Sequence, residues 1–221
     1  MVKKLLLVLL FVVFMASMAQ AADSRFLQLS LFNPIQLVPE NESIGGIRLD
    51  LFYTLNKDMT GFSLSFFGLN AATGDVKGVE WGLGNWSEGL FYGWQDGLFN
   101  FTRGRFVGFQ DGAVNITKGD LTGLQMGIVN LLEGYMHGAQ LGLVNMTKGR
   151  AIGANLGAVN FAEGSYSGFQ GGVFNYAAEM HGLQLGLVNW TKNLDGLQIG
   201  LANYNGNKDP LEFMVFVNWS F

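Results

Sequence analysis

Asparagine keeps time along this chain. It stands at Asn56, Asn70, Asn85, Asn100, Asn115, Asn130, Asn145, Asn160, Asn175, Asn189, Asn203 and Asn218, with successive spacings of 14 or 15 residues. Nine of these twelve units carry glycine seven and three residues before the asparagine, from Gly78 and Gly82 to Gly196 and Gly200. Five residues before it stand Gln95, Gln110, Gln125, Gln140, Gln170, Gln184 and Gln198, with Glu80 and Asn155 as polar variants. Another glycine follows four residues after most of the asparagines, as at Gly74, Gly119 and Gly164. A period this regular marks a repeat architecture, which constrains the fold before any site can be considered.

Each unit reads as strand plus turn. In Gly182–Asn189, GLQLGLVN, alternation puts Leu183, Leu185 and Leu187 on one face and Gly182, Gln184 and Gly186 on the other. That is the period of a β-strand. A helix is disfavoured by two interior glycines per unit, each costing about 1 kcal/mol. The segments Ile116–Gly119, Leu131–Gly134 and Met146–Gly149 pair polar residues with glycine, as hairpin loops do.

Two all-β architectures fit. In a β-solenoid with 14–15-residue coils, each unit is one coil and like residues stack. In an antiparallel up-and-down meander, each unit is one strand and every turn reverses the chain. The near-palindrome G-L-Q-L-G favours the meander: a loop centred between Thr117 and Lys118 sets Gln110 against Gln125, Gly112 against Gly123 and Asn115 against Asp120. The invariant asparagine and the even period favour the solenoid. The 14-residue units trouble the meander, because a one-residue change flips strand faces unless a bulge absorbs it.

The C-terminus tips the expectation. Phe213, Val215, Val217, Trp219 and Phe221 alternate up to a terminal phenylalanine, and look like the closing strand of outer-membrane β-barrels, whose final aromatic is an assembly signal. The repeats themselves, from LQLSLFNP at Leu27–Pro34 to FVNWSF at Phe216–Phe221, resemble a family of bacterial surface-repeat proteins with many G-x-Q-x-G-x-x-N copies after a secretion signal. The resemblance implies an envelope location and carries no activity. The expected fold is a meander closed into an outer-membrane-type barrel of about 12–14 short-turn strands, with the β-solenoid as the alternative. Residues 22–221 form one repeat-built β domain, with degenerate strands over 25–70, clear repeats over 78–204 and a C-terminal strand over 211–221.

The barrel reading strains at two places. Asp96 and Asp111 occupy mid-strand positions on the apolar face, where lipid would penalise a carboxylate. By the asparagine register, Phe213, Val215 and Val217 fall on the glycine–glutamine face.

At the other end, Lys3 and Lys4, the apolar run Leu5–Phe14 and the small-x-small site Ala19-Gln20-Ala21 make residues 1–21 a secretory signal peptide. The chain has no cysteine, which excludes a disulfide framework and a lipid-anchored cysteine. Loss of Lys3 and Lys4 takes the net charge from −4 to −6, and no basic patch for nucleic acid remains. Glycine is abundant, at 32 residues, but 14% aromatic content excludes a flexible linker. The expectation is export across the inner membrane to the outer membrane or cell surface of a Gram-negative-type bacterium. Outer-membrane lipid and the barrel-assembly machinery are the partners expected there.

Candidate chemistry is sparse. His137 and His181, both in Met-His-Gly, lie three units apart, too far to share an ion in either architecture. No cysteine nucleophile or Ser-His-Asp order can be built, and the glycines lack the strand-loop-helix context of a phosphate loop. We therefore expect no catalytic residues, no metal and no cofactor. The glutamine row is expected to line a lumen or to stack as an amide ladder. Glu80, Asp96 and Asp111 are a candidate acidic patch for cations or pore selectivity. Amides beside Trp81, Trp86, Trp94 and Trp190 suggest sugar binding as a lesser reading. The functional expectation is a non-enzymatic envelope protein, a narrow pore or scaffold; the alternative is a secreted or surface-displayed solenoid acting as a binding module.

Overall fold

A computed structural model describes residues 24–221, so the expected signal peptide over residues 1–21 lies outside the described residues. The chain divides into two compact units meeting at Gly97 and Leu98. The first contains β1 (Ser24–Phe32), β2 (Ile35–Gln36), β3 (Ser43–Asp50), β4 (Tyr53–Asn56), β5 (Met59–Ser65), β6 (Leu69–Ala72), β7 (Val76–Trp81), β8 (Gly84–Ser87) and β9 (Phe91–Asp96). The second contains β10 (Phe99–Thr102), β11 (Phe106–Thr117), β12 (Leu121–Leu132), β13 (Met136–Thr147), β14 (Ala151–Leu156), β15 (Val159–Asn205) and β16 (Phe213–Ser220).

Both units are β-solenoids, and this corrects the expected barrel. In the first, β1, β3, β5, β7 and β9 pair in parallel along one wall, and β4, β6 and β8 along another. In the second, β11 pairs with β12 in parallel, setting Gly108 beside Gly123, Gln110 beside Gln125, Gly112 beside Gly127 and Asn115 beside Asn130. β12 and β13 repeat that register. Each of these strands therefore meets its own equivalent one coil later, running in the same direction. The palindrome is compatible with both pairings, because Gln110 lies at its centre and faces Gln125 whichever way the next strand runs. The off-centre asparagine separates them: it stacks on asparagine only when the coils are parallel.

Each coil is two strands joined by two corners, as at Gly82-Leu83 and Glu88–Leu90. Inward positions are occupied by Leu121, Gln125, Asn130 and Leu132, all buried, while Met126, Ile128, Glu133 and Tyr135 point out. The interior is narrow, and glycine makes it possible. Gly123 has φ of +133°, and a Cβ there would overlap the Gly108 carbonyl. At Gly127 an added Cβ would lie 2.7 Å from Asn115 Nδ2. The 14-residue coils lose their residue at a corner: Asn160 reaches Gly171 O, eleven residues on, whereas Asn175 reaches Leu185 O, ten residues on. The missing residue is the corner glycine, present at Gly149 and Gly164 and absent from Ala177-Ala178-Glu179-Met180. Strand faces are unaffected.

β16 leaves the coil path and runs antiparallel to the last coil, with Gln198 beside Asn218 and Tyr204 beside Phe213. The reversal removes the parity conflict of the C-terminal strand. Lys208 reaches across it, donating to Asn218 Oδ1 (3.0 Å) and Trp219 O (2.7 Å).

Candidate functional site

The interior of the second unit is built from two amide columns that satisfy one another. Asn100, Asn115, Asn130, Asn145, Asn160, Asn175 and Asn189 each donate through Nδ2 to the Oδ1 of the next coil's asparagine, at 2.8–2.9 Å. The second hydrogen of each Nδ2 goes to a backbone carbonyl of the next coil, as from Asn115 to Met126 O (2.8 Å). The glutamines run the other way. Gln125 donates back to Gln110 (2.7 Å), Gln140 to Gln125 (2.7 Å), Gln184 to Gln170 (2.7 Å) and Gln198 to Gln184 (2.8 Å). The two columns thus carry opposed dipoles through one core. Burying an amide is favourable only when its hydrogen bonds are made, and stacking identical coils makes them.

The glutamine column has one gap. Asn155 donates to Gln140 Oε1 (3.2 Å), but its own Oδ1 has no partner. Gln170 donates instead to Tyr176 O (3.1 Å). The shorter asparagine side chain leaves its carbonyl out of reach.

In the first unit the same column reads Arg48, Ser63, Glu80 and Gln95. Arg48 passes the small Ser63, donating to its Oγ (2.6 Å), to Ala71 O (2.9 Å) and to Glu80 Oε1 (2.7 Å). Gln95 donates to Glu80 Oε2 (3.2 Å). Both charged side chains are fully buried. Burial pushes the Glu80 carboxyl up and pulls the Arg48 guanidinium down, each shift opposed by the partner's charge. Asp50 is also buried; Ser65 donates to its Oδ1 (2.6 Å) while Oδ2 has no partner. Burial raises its pKa to about 6, against the opposing effects of Ser65 and Arg48.

The candidate acids are not gathered on one face. Glu80 points inward, while its chain neighbour Trp81 pairs on the outer side with Asp96. In the second unit Asp111 holds the outward position that Met126 and Leu141 hold in later coils. His137 and His181 lie outside the core; His181 Nδ1 is 3.2 Å from Asp195 Oδ2. Among the described residues no cluster of three or more His, Cys, Asp or Glu could hold a metal ion. Sequence reasoning passed over Arg48 and Asp50: Arg48 takes the glutamine position beside Ser63, but Thr54, six residues on, stands where the asparagine would be, beside Asn70, so the motif spacing does not mark it.

Outside the core, side chains sort by corner. One corner carries Leu98, Ile128, Leu143, Val173, Leu187 and Leu201, between 51% and 63% exposed. The other carries Lys118, Glu133 and Lys148, with Glu133 3.9 and 3.1 Å from the two lysines. Aromatic rings stack coil on coil beside the asparagine column, Phe161 on Tyr176 (4.5 Å) and Trp190 near Tyr204 (4.9 Å).

Comparison with known proteins returns no matching family model, no matching curated protein and no matching solved structure.

Proposed function

We propose that this protein is an exported, non-enzymatic β-solenoid of the bacterial envelope that works as an interaction module, with its aliphatic corner lying against lipid. The observation that supports this is the segregation of the corners in the second unit. A soluble surface disperses its apolar residues, and a long unbroken apolar row marks a binding surface. Here Ile128, Leu143 and Leu187 are more than half exposed, with Lys118, Glu133 and Lys148 on the other corner. An aliphatic row without interspersed hydrogen-bonding groups suits a lipid surface better than a protein partner, whose interface is read by polar and aromatic anchors. Exposed Trp190 at the flank suits the membrane interface.

Flotation of the mature chain with phosphatidylethanolamine–phosphatidylglycerol vesicles tests the proposal. The chain is expected to rise with the vesicles. The triple variant Ile128→Ser, Leu143→Ser, Leu187→Ser is expected to remain at the bottom with an unchanged circular dichroism spectrum. A wild-type chain that stays folded and never floats would sink the idea.

A further inference from the structure

The second unit contains a cleft of about 540 Å³ at its polar corner. Two columns of side chains line it. Arg105, Asp120, Tyr135 and Arg150 hold equivalent positions in four successive coils, each just before a buried residue. Backbone bonds of 2.8–2.9 Å, from Phe106 to Asp120 O, Leu121 to Tyr135 O and Met136 to Arg150 O, tie these coils together. Thr122 and His137 are register partners in the second column. Adjacent coils lie ~4.8 Å apart. Tyr135 and His137 therefore have Arg150 one coil away on one side, and Asp120 and Thr122 one coil away on the other.

These groups open to solvent. Arg105, Asp120, Tyr135, His137 and Arg150 are all exposed, Tyr135 at 63%. Arg105 donates to Thr122 Oγ1 (3.3 Å). Asp120 Oδ1 accepts from Tyr135 N (2.9 Å), which leaves Oδ2 as an acceptor. Among the described residues, neither the Arg150 guanidinium nor the His137 imidazole has a hydrogen-bond or ion-pair partner.

The set of groups narrows the ligand. Two guanidiniums against one carboxylate leave positive charge in the cleft, on a chain whose net charge is −4. That favours an anion, and a free guanidinium meets a carboxylate through two parallel N–H···O bonds. The Asp120 carboxylate disfavours a bare anion, because it is satisfied only by donors, so the ligand also carries hydroxyls. The exposed Tyr135 ring offers an apolar face with a polar edge. It suits a saturated ring whose faces carry C–H and whose edge carries O–H.

We infer that this cleft binds a hexuronate, its carboxylate on Arg150, its ring against Tyr135, and its hydroxyls on Asp120 Oδ2 and His137. Glucose of the same shape lacks the charge. Cyclohexanecarboxylate has the charge and the ring but gives Asp120 nothing to accept. The site uses no residue of the aliphatic corner and does not depend on lipid binding.

The test is calorimetric titration of the mature chain with glucuronate, glucose and cyclohexanecarboxylate near neutral pH. Glucuronate is expected to bind about fivefold or more tighter than glucose, the equivalent of one well-formed exposed ion pair. Cyclohexanecarboxylate is expected to bind more weakly than glucuronate. In Arg150→Gln the preference for glucuronate over glucose is expected to disappear. Tyr135→Ala, which keeps the backbone donor to Asp120, is expected to weaken both sugars together by about threefold. Both positions are exposed, and circular dichroism checks that the variants stay folded. A glucuronate-containing oligosaccharide separates the sources: affinity equal to glucuronate identifies the free sugar acid, and tighter binding lost in Arg150→Gln identifies a residue within a longer glycan. No binding of glucuronate, or equal binding of glucuronate and glucose, would overturn the inference. So would cyclohexanecarboxylate binding as tightly as glucuronate, an undiminished preference in Arg150→Gln, or sugar affinity unchanged by Tyr135→Ala.

Discussion

Asn115 donates forward to Asn130 at 2.9 Å, one coil ahead, while in the same core Gln125 donates back to Gln110 at 2.7 Å. Each column alone would accumulate a dipole along the stack; together they oppose one another. The arrangement explains why two different amides are needed, with different lengths and at fixed separation. Asparagine is short enough to place its second hydrogen on a backbone carbonyl of the next coil. Glutamine reaches across the wider part of the interior, where Thr117 Oγ1 also donates to Gln110 Oε1 (3.3 Å).

Removing one asparagine should therefore cost more than one hydrogen bond. In Asn130→Ala, Asn115 Nδ2 loses an acceptor, and Leu141 O and Asn145 Oδ1 lose a donor. Each buried orphan costs roughly 1–3 kcal/mol, so a total loss of about 3–5 kcal/mol is expected. Urea unfolding monitored by circular dichroism measures it. A loss below about 1 kcal/mol would show that water enters and repairs the column.

The gap at Asn155 predicts a gain. Asn155→Gln extends the amide by one methylene, toward the column spacing that Gln125 and Gln140 satisfy at 2.7 Å. Its carbonyl then comes within reach of Gln170, which now donates to Tyr176 O. A rise in stability of about 1 kcal/mol is expected, read as a higher urea midpoint with unchanged slope. A lower midpoint would mean that the interior at this coil is too tight for the longer side chain.

Asp50 gives the fold a pH dependence with a definite sign. Its pKa in the folded protein is about 6, against an ordinary 3.8, so the folded state binds this proton more tightly than the unfolded chain. The associated stability is full below the unfolded value and is lost as pH rises through about 6. The loss is on the order of 3 kcal/mol. Glu80 shifts in the same direction, so the informative measurement is the difference between wild type and Asp50→Asn. The variant is expected to lose this part of the pH dependence and to be the more stable of the two at neutral pH. Urea midpoints taken from mild acid to neutrality check it; parallel curves for the two proteins would exclude the assignment.

Gly123 should tolerate no side chain. Its φ of +133° is one that L residues rarely adopt, and the atom a Cβ would strike is backbone, the Gly108 carbonyl. Strain of about 1–3 kcal/mol from the dihedral adds to the cost of parting two coils. Gly123→Ala is expected to lose at least about 3 kcal/mol or fail to fold, whereas Ala139→Gly, on the outward side of the next coil, is expected to change stability by less than about 1 kcal/mol. Melting temperatures of the two variants side by side make the comparison.

Much of the coil was legible in the sequence, and its direction of travel was not. The period of Asn115, Asn130 and Asn145 marks the repeat, and the alternation in GLQLGLVN separates Leu183, Leu185 and Leu187 from Gly182, Gln184 and Gly186. Parallel and antiparallel pairing both match Gln110 with Gln125, because the motif is nearly its own reverse. The C-terminal alternation of Phe213, Val215 and Val217 suggested a barrel-closing strand. In the folded chain β16 instead reverses across the last coil, a local event that the repeat period does not encode. The buried Arg48, Glu80 and Asp50 were not legible as a cluster because Arg48 and Asp50 lie on the irregular N-terminal strands, where the repeat is weakest.

The parallel stack makes one last outcome specific. Deleting residues 116–130 removes one period, since Asn115 and Asn130 are equivalent and separated by 15 residues. Asn115 then runs into Leu131, which takes the place of Ile116, its register partner. Gln110 inherits Gln140 as the neighbour that Gln125 supplied, and Asn115 donates to Asn145. In such a stack each coil contacts its neighbours only, so stability falls by one coil and one interface and the remainder is untouched. The shortened chain is expected to keep its β-sheet circular dichroism and a cooperative urea transition, with a smaller slope because less surface is exposed on unfolding. Deleting residues 116–122 instead sets His137 one period after Asn115 and Gly108 one period before Asn130, so the asparagine column is broken, and that chain is expected not to fold. If both deletions behave alike, the coil is not the repeating unit of stability.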